Sequence, residues 1–108
     1  MRFLSRFSNT GKYNIRMTQN FIDKNKVRYF DDQIKSGNFD TSEPKYQIAG
    51  YIYDNVYYVT EGHHRMLSAL MKWKDSGDYG IVDDLIKYGH WENIRKKPTE
   101  SYNFCKYL

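Results

Sequence analysis

The spacing of hydrophobic residues along the chain changes from a helical pattern to a strand pattern and back, which predicts a helix, a β-hairpin and a second helix in that order. Between residues 18 and 36 the apolar side chains recur at spacings typical of one or two amphipathic helical segments. Residues 46–53 and 56–60 are instead rich in β-branched and aromatic side chains. Because only Asp54-Asn55 separates these two runs, they predict a β-hairpin with a tight turn.

A second helical region follows the hairpin almost without a break. Straight after Glu61-Gly62, the apolar side chains of residues 66–73 form one broad helical face, and Gly77 can adopt the left-handed conformation common after helix ends. Another helix is predicted over residues 81–88, whereas the pattern assigns no structure to residues 90–108. We therefore predict one α+β domain in which a hairpin and flanking helices share a core.

Composition limits the classes of function without choosing one. Lys and Arg total 17 against 13 Asp and Glu, and the formal net charge of +4 favours approach to a nucleic acid or another polyanion. Cys105 is the only cysteine, which excludes an internal disulfide and a cysteine-based zinc finger. Residues 1–7 lack the apolar run and cleavage site of a signal peptide, and no segment is apolar enough to span a bilayer. By itself the domain is expected to be soluble.

The turn between the second strand and the next helix, Glu61-Gly62-His63-His64-Arg65, predicts an anion site. Glycine lets the backbone approach a ligand, and the free N–H groups and dipole at a helix start favour phosphate or sulfate. Arg65 adds a planar fork of donors, and His63 and His64 can exchange protons near neutral pH. Adjacent helical residues point about 100° apart. We therefore expect one histidine to face the ligand while the other locks the turn.

Each of these side chains also has a structural explanation. Gly62 could merely permit the turn, one histidine could pack locally, and Arg65 could be solvated, although packing alone explains the whole cluster poorly. The adjacent histidines lack the i, i+4 spacing of helical zinc ligands, and Glu61 is the only nearby carboxylate by sequence. We assign no cofactor, while a Mg²⁺ ion held mainly by substrate phosphates stays open.

The order of the elements and the segment Tyr58-Val59-Thr60-Glu61-Gly62-His63-His64-Arg65 resemble the ParB/sulfiredoxin superfamily, over about residues 15–77. The resemblance implies a short mixed sheet with a β-hairpin and flanking helices, followed by a helical and irregular extension over residues 78–108. In that superfamily the Gly-x-x-Arg turn binds phosphates of a nucleotide or nucleic acid, which the resemblance places on Gly62, His63, His64 and Arg65. The neighbouring Glu61 is expected to belong to the substrate-binding residues. Arg16 and Gln19 match a polar stretch beside the same pocket and are expected to orient the substrate.

Departures from individual branches of the superfamily narrow the chemistry that the resemblance implies. Sulfiredoxins carry their catalytic cysteine at the position of His63, so thiol repair by that route is not expected. Chromosome-partitioning ParB proteins have further DNA-binding domains, for which 108 residues leave no room. The Gly-His-His-Arg form is more similar to compact ParB-like domains at the C-terminal ends of bacterial polymorphic toxins, including contact-dependent growth inhibition and Rhs effectors. A related turn occurs in ParB-like free-serine kinases.

The resemblance thus implies a bacterial toxin domain that cleaves DNA or RNA, with His63 or His64 as general acid or base and Arg65 stabilising charge in the transition state. Such a toxin would be delivered from a secreted or cell-surface effector into the cytoplasm of a target cell. It would need a cognate immunity protein with an acidic contact surface. Two alternatives stay open: a nucleotide-dependent enzyme that hydrolyses ATP or transfers its phosphate, and a non-catalytic nucleic-acid-binding module.

Several other polar residues receive structural explanations. Asp83 and Asp84 lie in the first turn of a predicted helix, where the dipole accounts for them. The basic segment 95–97 is expected to be a solvated turn, and Cys105 to be structural. His90 could place an imidazole near the pocket, but a solvated His90 beside a packed Trp91 explains the sequence equally well.

Overall fold

The hairpin forms the centre of the sheet in the computed structural model, which describes residues 10–108. Strands β2 (Ala49–Tyr53) and β3 (Val56–Glu61) pair antiparallel, and Asp54 and Asn55 between them both have positive φ, as a tight hairpin turn requires. The predicted hairpin is confirmed. Its first strand begins at Ala49 rather than at residue 46, because Pro44 fixes the backbone of a short 3₁₀ turn, Pro44–Tyr46.

Three more strands in the described part of the chain complete a mixed sheet. Strand β1 (Asn14–Met17) runs parallel to β3, β4 (His90–Asn93) runs parallel to β2, and β5 (Tyr102–Asn103) runs antiparallel to β1. The strand order is β4-β2-β3-β1-β5. The α+β class with a short mixed sheet is confirmed, but the sequence pattern had assigned no strand to β1, β4 or β5.

Three helices cover one face of this sheet. They are α1 (Lys24–Lys35), α2 (His63–Ser76) and α3 (Gly80–Tyr88), and the left-handed Gly77 ends α2 as predicted. Strand side chains alternate between faces, and those pointing toward the helices form the main core, while Tyr58 is buried on the opposite face. The core cluster includes residues of the inner strands and of all three helices: Ile15, Met17, Val59, Ile34, Met66, Leu67, Leu70, Val82 and Leu85.

The segment between β4 and β5 crosses from one edge of the sheet to the other. These two strands are the outermost in the sheet, so residues 94–101 must pass across its full width. Lys97 and Ser101 lie beside Arg16, Tyr53 and Tyr58, which project from the face opposite the helices. The basic turn that the sequence left without a position therefore lies on the second face of the sheet.

None of the helices within residues 10–108 is long and apolar enough to cross a membrane. Residues 1–7, which were considered for a signal peptide, lie outside the described residues.

Candidate phosphate-binding and catalytic site

The strand-to-helix turn is shaped by a glycine that no other residue can replace without strain. Strand β3 ends at Glu61, Gly62 adopts a φ of 98°, and α2 begins at His63. A Cβ added at Gly62 would lie 2.3 Å from Cγ2 of Ile48, so neither the backbone conformation nor the available space suits a side chain. The first N–H groups of any α-helix have no partner inside the helix, so those at the start of α2 are available to a ligand.

A cleft of about 550 Å³ opens at this turn. Its floor comes from the end of β3 and the start of α2, and its opposite wall comes from the first half of α1. The N-termini of two helices therefore border one cleft, and both dipoles favour an anion there. The residues around it are Gln19, Asn25, Lys26, Tyr29, Phe30, Thr60, Glu61, Gly62, His63, His64 and Arg65.

His63 is the most deeply buried of the polar side chains in this cleft. It is only 5 % exposed, and its Nε2 has no hydrogen-bond partner among the residues that the structure describes. Burial lowers the pKa of His63 below its ordinary value, a contact with the Val59 backbone opposes that effect, and the neighbouring His64 lowers the pKa further. The imidazole is therefore held in its neutral form near neutral pH, with one ring nitrogen able to accept a proton.

His64 has a different task, which is to hold the start of α1. Its Nε2 accepts a hydrogen bond of 2.9 Å from the backbone N–H of Asp23, the residue that caps α1 through its own side chain. Burial and the positive charge of Lys26 lower the pKa of His64, against a weaker raising effect from Asp23. Because Nε2 is an acceptor in this contact, its proton must be absent while α1 is docked.

Arg65 is fixed by two contacts that face away from solvent. Its Nη1 donates a 2.5 Å hydrogen bond to the carbonyl oxygen of Gln47, and its guanidinium lies over the Phe30 ring at 5.6 Å from the centroid. Its Nε is buried without a partner among the described residues. Burial lowers the pKa of Arg65, and Glu61 raises it. Arginine carries five N–H donors, so several remain for an anion in the cleft.

The structure brings most of the residues predicted for the site together, with one exception. Gln19, Glu61, Gly62, His63, His64 and Arg65 all border the cleft. Arg16 does not, because strand alternation turns it to the opposite face of the sheet, where its guanidinium bonds to the hydroxyl and the carbonyl of Ser101. Part of the hydrogen-bonding capacity of the Gln19 amide is already used, because its Nε2 donates a 2.7 Å hydrogen bond to the carbonyl oxygen of Phe21.

Sequence reasoning missed the contribution of α1 to the cleft. Asn25, Lys26, Tyr29 and Phe30 come from this helix, which had been read only as a packing element. A signal was present, because the first turn of α1 carries Lys24 and Lys26 and no acidic residue. Cations at a helix N-terminus oppose the dipole, so their presence there indicates that they serve something other than helix stability.

The remaining candidates form contacts within the fold or lie elsewhere. Asp83 pairs with Lys12 at 2.9 Å, and Asp84 accepts a hydrogen bond from Thr41. Burial raises the pKa of the Cys105 thiol, which lowers its reactivity. Nε2 of His90 donates a hydrogen bond of 2.9 Å to the side-chain oxygen of Gln47, and His90 does not border the cleft. No three His, Cys, Asp or Glu side chains within residues 10–108 converge as metal ligands would.

Comparisons with protein-family models, with curated proteins and with solved structures found no match to this chain. The resemblance to the ParB/sulfiredoxin superfamily therefore stays an expectation from the sequence. Function has to be inferred from the chemistry of the cleft itself.

Proposed function

We propose that the protein is a bacterial toxin domain that cleaves nucleic acid, with a backbone phosphate bound where α2 begins. The N–H groups that follow Gly62, the dipoles of two helices and the charges of Lys26 and Arg65 supply the attraction for a phosphate. Nucleic acid is the polyanion that best fits a cleft with two cations, Lys26 and Arg65, in a chain whose net charge is +4.

The observation that carries this proposal is the unpartnered Nε2 of His63. A buried polar nitrogen without a hydrogen bond costs about 1–3 kcal/mol, and folding alone gives no reason to keep it. A substrate in the cleft would supply the missing partner, because His63 belongs to the wall of the cleft and lies beside the phosphate-binding turn.

The chemistry follows from the neutral state of this histidine. Nε2 of His63 takes the proton from the attacking hydroxyl, which comes from water or from the neighbouring ribose. The new oxygen–phosphorus bond forms, the bond to the leaving sugar oxygen breaks, and that oxygen takes a proton from solvent. Arg65 and the N–H groups at the start of α2 stabilise the extra negative charge on the phosphoryl oxygens. His64 positions α1 and takes no proton in this scheme.

The biological setting belongs to the proposal as well. The domain would reach the cytoplasm of a target cell as cargo of a secreted or cell-surface effector, and the producing cell would be protected by an immunity protein. That protein would cover the basic cleft with an acidic surface, since buried charges in an interface need partners of opposite sign. A Mg²⁺ ion held mainly by the substrate phosphates is compatible with Glu61 at the rim.

The test is a cleavage assay combined with expression in bacteria. Wild type, His63→Ala, Arg65→Ala and the exposed control Arg95→Ala would be incubated with single-stranded DNA, duplex DNA, total RNA and tRNA, with and without Mg²⁺. We expect cleavage by wild type and Arg95→Ala, and a loss of at least about 100-fold in the other two, typical of removing a general base or a charge-stabilising donor. Intact nucleic acids in cells that the wild-type protein kills would refute the proposal.

One observation favours an alternative, a nucleotide-dependent enzyme that hydrolyses ATP or transfers its phosphate. The aromatic side chains Tyr29 and Phe30 border the same cleft and could hold an adenine ring beside the phosphate turn. Saturable binding of ATP that is lost in Arg65→Ala, with DNA and RNA left intact, would support this alternative. Full toxicity of a His63→Ala, His64→Ala double variant would instead support a non-catalytic binding module.

A further inference from the structure

A second depression, of about 580 Å³, lies next to the phosphate-binding cleft on the face of the sheet opposite the helices. Thr60 belongs to the walls of both, so the two spaces are neighbours. In the sheet, Glu61 pairs with Ala49 and Ala49 pairs with His90. Two strand spacings of about 4.8 Å each separate the phosphate turn from the start of β4, a distance that the sugar and base attached to a bound phosphate can bridge.

Four side chains project into this depression from the same face. Tyr51 and Glu92 are direct partners across β2 and β4. Residues two apart on a strand point to the same face, so His90 shares the face of Glu92. Thr60 likewise shares the face of Tyr58, which is the partner of Tyr51 on β3. The set combines an aromatic ring, a carboxylate, an imidazole and a hydroxyl.

The walls of this depression differ from those of the first cleft in charge, because the described residues that line it include Glu92 but no lysine or arginine, whereas Lys26 and Arg65 line the first cleft. A carboxylate repels a phosphate but accepts hydrogen bonds from the exocyclic amino group of a base, and an aromatic ring offers a surface for stacking. Gln47 connects the two spaces, because its carbonyl oxygen holds Arg65 and its side-chain oxygen bonds to His90. A ligand that spans both spaces would therefore present a phosphate to one and a base to the other.

We propose that this depression is a base-binding subsite for single-stranded nucleic acid, in which Tyr51 stacks on a base and Glu92 accepts a hydrogen bond from its exocyclic amino group. The inference rests on the proposed function, because the phosphate of the same strand occupies the turn at Gly62. It adds that the substrate is unpaired at this position, since stacking on a side chain requires a base that has left its helix. Cytosine and adenine fit the subsite better than thymine or uracil, which lack the amino group.

The experiment measures binding of short fluorescent oligonucleotides in the His63→Ala background, which prevents cleavage. Tyr51→Ala should weaken binding of oligo(dC) about tenfold, the order expected for one lost base stack. Tyr53→Ala is the matched control, because Tyr53 lies on the same strand and face as Tyr51 but borders neither the cleft nor this depression and lies beside Arg16 and Lys97 instead. Tyr51→Phe should bind like the parent, which separates lost stacking from lost folding. Equal affinities of Tyr51→Ala and Tyr53→Ala would overturn the proposal.

The base preference gives a second, independent reading. The parent should bind oligo(dC) more tightly than oligo(dT), and Glu92→Gln should reduce that difference. Equal binding of oligo(dC) and oligo(dT) by the parent would overturn the assignment of Glu92. Arg65→Ala separates this inference from the proposed function. If Arg65→Ala loses binding and Tyr51→Ala does not, the phosphate site is supported and the base subsite is refuted. The opposite pattern leaves the base subsite and refutes the phosphate site.

Discussion

Replacing Gly62 by alanine tests the structural basis of the turn at which we propose that phosphate binds. Gly62 has a φ of 98°, and a Cβ at this position would lie 2.3 Å from Cγ2 and 2.8 Å from Cβ of Ile48. Carbon atoms in contact are about 3.5–4.0 Å apart. The substitution therefore forces either the turn or the buried Ile48 to move, and the first N–H groups of α2 move with the turn.

The size of the effect can be worked out from its two causes. A left-handed backbone costs a residue with a Cβ about 1–2 kcal/mol. Relief of the overlap with Ile48 through backbone and rotamer shifts costs about 1–3 kcal/mol more. We expect Gly62→Ala to lower the free energy of unfolding by about 2–5 kcal/mol, a large part of the 5–15 kcal/mol that is typical of a small domain.

Gly77→Ala is the matched control for this change. Gly77 also has a positive φ, of 80°, but apart from the glycine itself and its two chain neighbours no atom of the described residues lies within 4 Å of the position its Cβ would take. It should therefore lose only the backbone contribution, about 1–2 kcal/mol. Urea unfolding followed by tryptophan fluorescence measures the free energy of unfolding of both variants. Competition by phosphate measures whether the turn at Gly62 keeps its affinity for an anion. Equal destabilisation by the two substitutions would refute the role assigned to Ile48.

Three further predictions concern hydrogen bonds and protonation. His64→Ala removes the acceptor of the Asp23 N–H and should cost about 1 kcal/mol, with faster amide exchange at the start of α1. Burial lowers the pKa values of His63 and His64 below the ordinary value of 6.5, so the unfolded state binds protons at a higher pH than the folded state does. The free energy of unfolding should therefore be constant above about pH 6.5 and fall as the pH drops below it. A level curve between pH 7 and pH 5 would contradict this. Tyr79→Phe removes a 2.6 Å hydrogen bond to the Thr10 carbonyl and should cost about 1–2 kcal/mol in urea unfolding.

Local patterns in the sequence predicted the part of the fold that local interactions determine. The Asp54-Asn55 turn, the helix after Gly62 and its end at Gly77 all depend on backbone conformations that particular residue types favour. The same holds for the conformation of the turn at Gly62, whose glycine, histidines and arginine are consecutive in the sequence, whereas anion binding at this turn stays a prediction. These features could be predicted because each is contained in a few neighbouring residues.

Long-range pairing explains what the sequence did not predict. Strand β1 has four residues and β5 only two. Neither strand is joined by a tight turn to the strand with which it pairs, so the local sequence does not predict the pairing. The position of Arg16 depended on the face of β1, which became known only from the register with β3. Lys26 entered the cleft for a similar reason, since docking of α1 beside α2 brings together residues that are distant in sequence.

The two histidines show how one long-range contact assigns different roles to adjacent residues. They point about 100° apart on the first turn of α2, so only one of them can meet the start of α1. Once Nε2 of His64 accepts the hydrogen bond from the Asp23 N–H, protonation of this nitrogen would break the contact between the start of α1 and the start of α2. Nε2 of His63 has no such partner among the described residues and stays a buried, neutral nitrogen beside the turn at Gly62. The same drop in pH that protonates His63 would therefore also loosen the wall that holds Lys26, and cleavage should fall together with α1 docking as the solution becomes acidic.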